Sequence, residues 1–195
     1  SCERPLCTAC QLAKQSRRTR EGARQRTGGH DSTIRGGTLQ PGECVSIDQW
    51  QAGLPDRLAN TKGREPKTSQ HTGGPIFVDH ASGLVFVVHQ VSLTVAETIK
   101  AKRKFEAFAK EHGVIVKSCR ADNLPFGTPE FREEVASCDQ TIDFSGVGAH
   151  HQNGVAERAV GPVTRFARAM LLQQAILWPD RVDLRHWPFA MDHAA

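Results

Sequence analysis

The sequence predicts an α/β fold, a sheet of five short strands flanked by helices. Three observations predict it. Short β-branched runs, bounded by Gly, Pro, Ser or Asp, recur at 43–48, 76–79, 84–91, 114–119 and 141–144. Longer stretches with apolar residues at helical spacing fall between or after them, in the order three strands, helix, strand, helix, strand, helix. The 195 residues, 38% apolar and 24% charged, suit one domain with a single core and a tail.

In chain order, Glu43 to Asp48 alternates Val45 and Ile47 with Cys44, Ser46 and Asp48, so Ser46 and Asp48 share a face. A polar stretch at 51–74 precedes Ile76-Phe-Val-Asp79, and a turn at Ala81-Ser-Gly83 leads to Leu84 through Val91, a hairpin by its turn chemistry. Thr94 followed by Glu97 has the form of a capping box. The helix it opens carries Ala101, Phe105, Phe108 and Ala109 on one stripe and stops at Gly113. Val114 to Cys119 is the next strand, with Asp122 just beyond it, at the end where ligand sites gather in α/β sheets. Thr128-Pro129 reads as N-cap and N1 of a helix to about Cys138, and Thr141 to Phe144 as the last strand. A long helix then starts near Gln152, with Val163, Phe166, Ala167, Met170 and Leu171 as its buried stripe and Gly161-Pro162 predicted to kink it.

Composition excludes some classes. No apolar run reaches the roughly 20 residues of a membrane span, and Ser1 to Cys10 is no secretory signal, so an intracellular site is expected. Cys44, Cys119 and Cys138 read as buried free thiols; only Cys7 and Cys10 have a paired spacing. The formal charge of +4 is uneven, because residues 14–35 hold seven basic side chains against two acidic ones. Such a segment is either a solvated linker or an arm for a polyanion.

Phosphoryl transfer assisted by two metal ions needs hard oxygen ligands that converge from different elements and leave positions open for the attacking and leaving oxygens. Asp48, Asp122 and Glu157, from two strand ends and a helix, have that character. Their contexts are Val45-Ser-Ile-Asp48, Arg120-Ala-Asp122-Asn123 continuing to Glu130-Phe131, and His150-His-Gln-Asn-Gly-Val-Ala-Glu157-Arg158, with Asp79-His-Ala-Ser-Gly83 in the hairpin. Through these motifs the chain from about Gly42 onward resembles the integrase catalytic core of LTR retrotransposons and retroviruses, of the RNase H-like superfamily with a DDE carboxylate set. Thirty-four residues lie between Asp122 and Glu157, near the family's spacing. The His-x-Asn-Gly-x-x-Glu-Arg form and the pairs Trp178-Pro179 and Trp187-Pro188 look more like copia-type elements than retroviruses. The Gly161-Pro162 pair and the lack of glycine after Asp122-Asn123 depart from the family pattern.

The resemblance implies a mixed five-stranded RNase H-like sheet and a polynucleotidyl transferase. That enzyme processes the 3′ ends of a retroelement and joins them to target DNA by in-line attack. It implies two Mg²⁺ or Mn²⁺ ions on Asp48, Asp122 and Glu157, and DNA contacts by Asn153, Arg158, Arg165 and Arg168. Cys7 and Cys10 resemble the end of the family's His-His-Cys-Cys module, a partial Zn²⁺ site whose histidines would lie upstream. The domains expected are 1–13, the zinc-module remnant; 14–41, a basic flexible linker; and 42–195, the catalytic core. A fragment of a longer polyprotein, homo-oligomeric at full length, without membrane association, in a cytoplasmic particle and the nucleus, completes the expectation. Two rivals have the same fold: an inactive DNA-binding or assembly domain, and an RNase H-type nuclease, for which the first long helix offers Glu97, Glu106 and Glu111 without a matching context.

Overall fold

The computed structural model describes residues 7–14, 39–56, 69–145 and 153–195. Its sheet has five strands: β1 (Val45–Gln51), β2 (Gly73–Asp79), β3 (Val85–Val87), β4 (Ser118–Ala121) and β5 (Thr141–Phe144). They lie in the order β3-β2-β1-β4-β5, antiparallel between β1, β2 and β3 and parallel between β1, β4 and β5. The sheet is therefore mixed, as expected. The parallel half follows from its crossovers: a helix carries the chain from β3 to β4, and another from β4 to β5.

Those helices are α2 (Val95–Glu111) and α4 (Pro129–Ser137), with a single turn, α3 (Asn123–Phe126), just after β4. They cover one face of the sheet. Val45 and Ile47 of β1 and Cys119 and Ala121 of β4 point into a core with Phe77, Ala101, Phe105, Phe131 and Val135. Phe77 and Phe105 stack with centroids 4.7 Å apart. The other face is covered over β1 and β2 by α5 (Gly154–Leu177), against which α6 (Trp187–Ala194) packs. Ile76, Val87, Val163, Ala167, Trp187, Ala190 and Met191 form this second core. The Trp187 indole donates to the Leu54 carbonyl at 2.9 Å and meets Trp50 edge-on at 5.0 Å, tying the chain's last helix to the end of β1.

Several expectations change on contact with the fold. β3 shrinks to three residues, leaving Gln90 in an isolated bridge with Gly73. Pro75 brings no N–H to the ladder, while Val88 donates to its carbonyl at 3.1 Å, and a Cβ on Gly74 would lie 1.8 Å from the Val88 oxygen. The strand expected at 114–119 pairs only from Ser118, and Lys117 donates to the Gly42 carbonyl before it. Thr94 is the N-cap of α2 but forms no capping box. Its hydroxyl lies 3.1 Å from Ser92 Oγ, and Glu97 pairs with Lys100 at 2.6 Å. Gly113 stops α2 with φ +75°, as expected.

α5 runs unbroken through Pro162. The Thr164 hydroxyl donates to the Val160 and Gly161 carbonyls, at 2.7 and 3.1 Å, in the turn that the proline deprives of an N–H. Phe166 is not part of the buried stripe; it is 61% exposed, because Val163 and Ala167 face the sheet and Phe166 turns away from it. Of the three thiols expected inside, only Cys119 is buried, with its pKa pushed up by burial to about 12; Cys138 is exposed and Cys44 half-buried. The first helix, α1 (Thr8–Ala13), is capped by Cys7 and packs on α5, with Ala9 and Ala13 buried. Most of the linker at 14–41, with His150 and His151, lies outside the described residues. Among the described residues no helix is long and apolar enough to cross a membrane.

Candidate active site

Register assembles the site. β1 pairs with β4 up to Ile47↔Ala121, and β4 with β5 up to Ala121↔Phe144. Asp48, Asp122 and Ser145 are each the next residue, so they form a row across three parallel strands, about 4.8 Å per step. All three lie on the α5 side, since Ile47 and Ala121 point into the opposite core. Asp122 is the N-cap of α3, yet its carboxylate does not cap that turn. It accepts a short hydrogen bond from Ser145 Oγ.

Glu157 arrives from above, in the first turn of α5. What sets the start of that helix is Asn153, fully buried, whose amide donates to the Ile47 carbonyl at 2.9 Å, one residue before Asp48. The resemblance places Asn153 on DNA; in this conformation no part of it faces solvent.

The charges of the other two acids both act on Asp48. Burial pushes the Asp48 carboxyl above the usual Asp range, the Gln49 N–H at 2.8 Å draws it back, and the charges of Asp122 and Glu157 push it up further. Among the described residues no three His, Cys, Asp or Glu side chains are grouped closely enough to hold a metal ion, so in this conformation the three carboxylates do not converge on one metal-sized point.

Beside them runs a cationic flank in which Arg120, given no role by the motifs, joins the expected Arg158. Arg120, paired with Ser46 in the β1–β4 register, lies 3.9 Å from Asp143, and Ser46 Oγ lies 2.7 Å from His80 Nε2. Burial lowers the His80 pKa, and the positive charges of Arg120 and Arg158 lower it further against the opposing pull of Asp79. Arg120 and Ser145 were legible as residues but not as site members, because only register brings Ser145 beside Asp122. Arg158, Arg165 and Arg168 line a groove of about 620 Å³ with Lys14 and Glu157.

Cys7 and Cys10 stand apart from this site, at α1. The Cys10 N–H bonds to Cys7 Sγ at 3.5 Å and holds that thiol below its ordinary pKa, while the hydrogen bond to Cys7 raises Cys10.

No family model matches the chain, and no curated protein matches it. Solved structures do. The HTLV-2 integrase catalytic core domain in complex with magnesium, in its trimeric form, matches with a TM-score of 0.53 at 20% identity, covering 80% of this chain and 84% of that one. The dimeric form of the same domain gives 0.53 and 20%, covering 80% and 86%. A chain of the simian T-cell lymphotropic virus intasome in complex with the PP2A regulatory subunit B56 gamma gives 0.54 and 20%, covering 81% of this chain and 49% of that one. The chain thus has the RNase H-like fold of an integrase catalytic core.

Proposed function

We propose that this chain is the catalytic core of an integrase of an LTR retroelement, copia-type in its motifs. In this reading it processes the 3′ ends of the element's DNA and joins them to target DNA. One observation carries the reading: the charges of Asp122, at the end of β4, and of Glu157, on α5, both act on the half-buried Asp48 of β1, in a fold shared with integrase cores.

The donor set fits divalent metal ions in kind and in sign. Carboxylate oxygens are the hard ligands Mg²⁺ and Mn²⁺ take; burial is the main push on Asp48, and the part added by the charges of Asp122 and Glu157 is one that a cation would relieve. Asp48, Asp122 and Glu157 would hold the ions, and the HTLV-2 domain of the same fold is in complex with magnesium. Bound there, the ions supply Lewis-acid stabilisation of the charge that develops on a phosphodiester under in-line attack. The chain's own residues do the positioning. Ser145 orients Asp122, Asn153 sets the start of α5 and with it Glu157, and Arg158, Arg165 and Arg168 meet phosphate oxygens. Residues 42–195 form this core, 14–41 a basic linker, and 1–13 the end of a zinc module in which Cys7 and Cys10 are two of four ligands. The working assembly is a homo-oligomer on DNA.

The test is metal-dependent cleavage and joining of duplexes taken from the ends of the element that encodes the chain. Activity with Mn²⁺ or Mg²⁺ that Asp122→Asn abolishes supports the reading. DNA binding without any metal-dependent strand breakage sinks it and leaves a non-catalytic DNA-binding domain of the same fold.

A further inference from the structure

We infer that α1 is a working wall of the site: with α5 it forms, within one chain, a groove that seats the phosphate backbone of a DNA duplex beside the carboxylates. The inference rests on the reading above for the nature of the polyanion and goes beyond it in assigning a role to α1, Lys14 and Gly161.

The groove, about 620 Å³, is lined where α1 ends by Lys14 and along α5 by Arg158, Arg165 and Arg168. Glu157 is the one acid among its described lining residues. On α5 the three arginines are seven and three residues apart, which keeps them on one stripe about 15 Å long. A single small anion needs no such length. A DNA strand, with a charge every ~3.4 Å along the axis, matches several successive phosphates to it.

The floor of the groove gives a use to a glycine that is otherwise a weak point of the helix. Between Arg158 and Arg165 lies Gly161, with open space where a Cβ would be. No side chain rises from the helix at that residue, so a sugar-phosphate backbone can approach it closely while the arginines stand on either side. Because Glu157 and Arg158 belong both to this groove and to the carboxylate region, a strand lying along α5 toward its N-terminus reaches the candidate active site. α1 holds its position through Ala9 and Ala13, both buried, and that docking presents Lys14.

The experiment is fluorescence anisotropy of the whole chain with a labelled duplex of about 20 base pairs, in EDTA, across roughly 50–200 mM salt. Loss of each phosphate contact lowers the slope of log affinity against log salt by about 0.9, so Lys14→Ala should lower it by about that amount and Arg165→Ala with Arg168→Ala by about 1.8. Arg165→Lys with Arg168→Lys should keep the wild-type slope, and so should Lys104→Ala, an exposed position on α2 across the sheet. Melting temperatures of all variants separate misfolding from lost contacts. An unchanged slope in Lys14→Ala, an equal loss in Lys104→Ala, or no duplex binding by the wild type overturns the inference. Since EDTA removes any metal chemistry, the two readings fail separately. Changed slopes without metal-dependent cleavage keep the groove and sink the enzyme, whereas cleavage with unchanged slopes does the reverse.

Discussion

Asp79 and Asp48 sit on one antiparallel ladder, facing Val45 and Ile76 respectively, and their surroundings are opposite. Asp79, 4% exposed, opens the β2–β3 turn. Burial pushes its pKa up, but the Ser82 hydroxyl at 2.6 Å and the N–H groups of Gly42 at 2.9 Å, Ser82 at 2.7 Å and Ala81 outweigh it, leaving the carboxyl below the usual range. Burial likewise pushes Asp48 up, but only the Gln49 N–H is seen to draw it back, and the charges of Asp122 and Glu157 add to the push, so its pKa is raised. The difference teaches how to tell acids apart in a site where all look alike as sequence. Asp79 spends its oxygens on this chain's own donors and holds a turn. Asp48 is less well supplied with donors, so its ionised form costs the free fold something, as groups held for a ligand do.

The largest effect should break the comparison at the Asp48 end. Asp48→Asn or Asp122→Asn should lower metal-dependent cleavage and joining on the order of a thousandfold, the several kcal/mol that metal-held charge stabilisation supplies. Neither should lower the melting temperature in EDTA. Asp79→Ala should do the reverse, costing about 2–4 kcal/mol in urea denaturation because buried donors lose their acceptor; an effect near zero would show that the turn does not depend on them.

A pH series sharpens the contrast, because the two signs are opposed. A carboxyl whose pKa rises on folding binds its proton more tightly in the fold, so the ionised Asp48 destabilises at neutral pH. Asp48→Asn should therefore melt higher than wild type in EDTA at pH 7. That advantage should shrink as pH falls through the raised folded pKa and be gone below the ordinary Asp value. Asp79, held low, stabilises above its unfolded pKa and loses that contribution as pH falls through its folded one. A gap between Asp48→Asn and wild type that does not vary from pH 7 to about 3 would show that folding does not raise the Asp48 carboxyl. The smallest effect is at Ser145. Ser145→Ala removes one charge-assisted hydrogen bond, which should cost about 1.5–3 kcal/mol in transition-state stabilisation, read as kcat/KM, if that bond orients Asp122. No change would mean that Asp122 is oriented otherwise.

Much of the fold was legible because its signals are local. The β5 limits, the Gly113 stop, the Thr128-Pro129 helix start and the period of α2 depend on residues within a turn or a strand of one another. Where the reading failed, a distant partner intervened. β3 is cut short by Pro75 and Gly74 on its neighbour, and Phe166 lost its place in the stripe to the direction α5 takes over the sheet. α6 was missed because its apolar face, Trp187, Ala190 and Met191, has meaning only against α5 and the end of β1. In the candidate site, Asp48, Asp122 and Glu157 were named from motifs, while Ser145 and Lys14 were not and Arg120 was given no role within its motif, since the hydrogen bond, ion pair and groove that involve them join distant stretches of chain.

By itself, then, the sequence determined which residue types are present, the period and punctuation of each element, and the candidate carboxylates, all properties of short stretches of chain. Only the tertiary structure decided that Asp48, Asp122 and Ser145 stand one register step past their last paired neighbours, that Asn153 anchors α5 to β1, and that α1 docks beside Arg165. Register and docking are set by how two distant apolar faces bury one another, and no short stretch of chain carries that information.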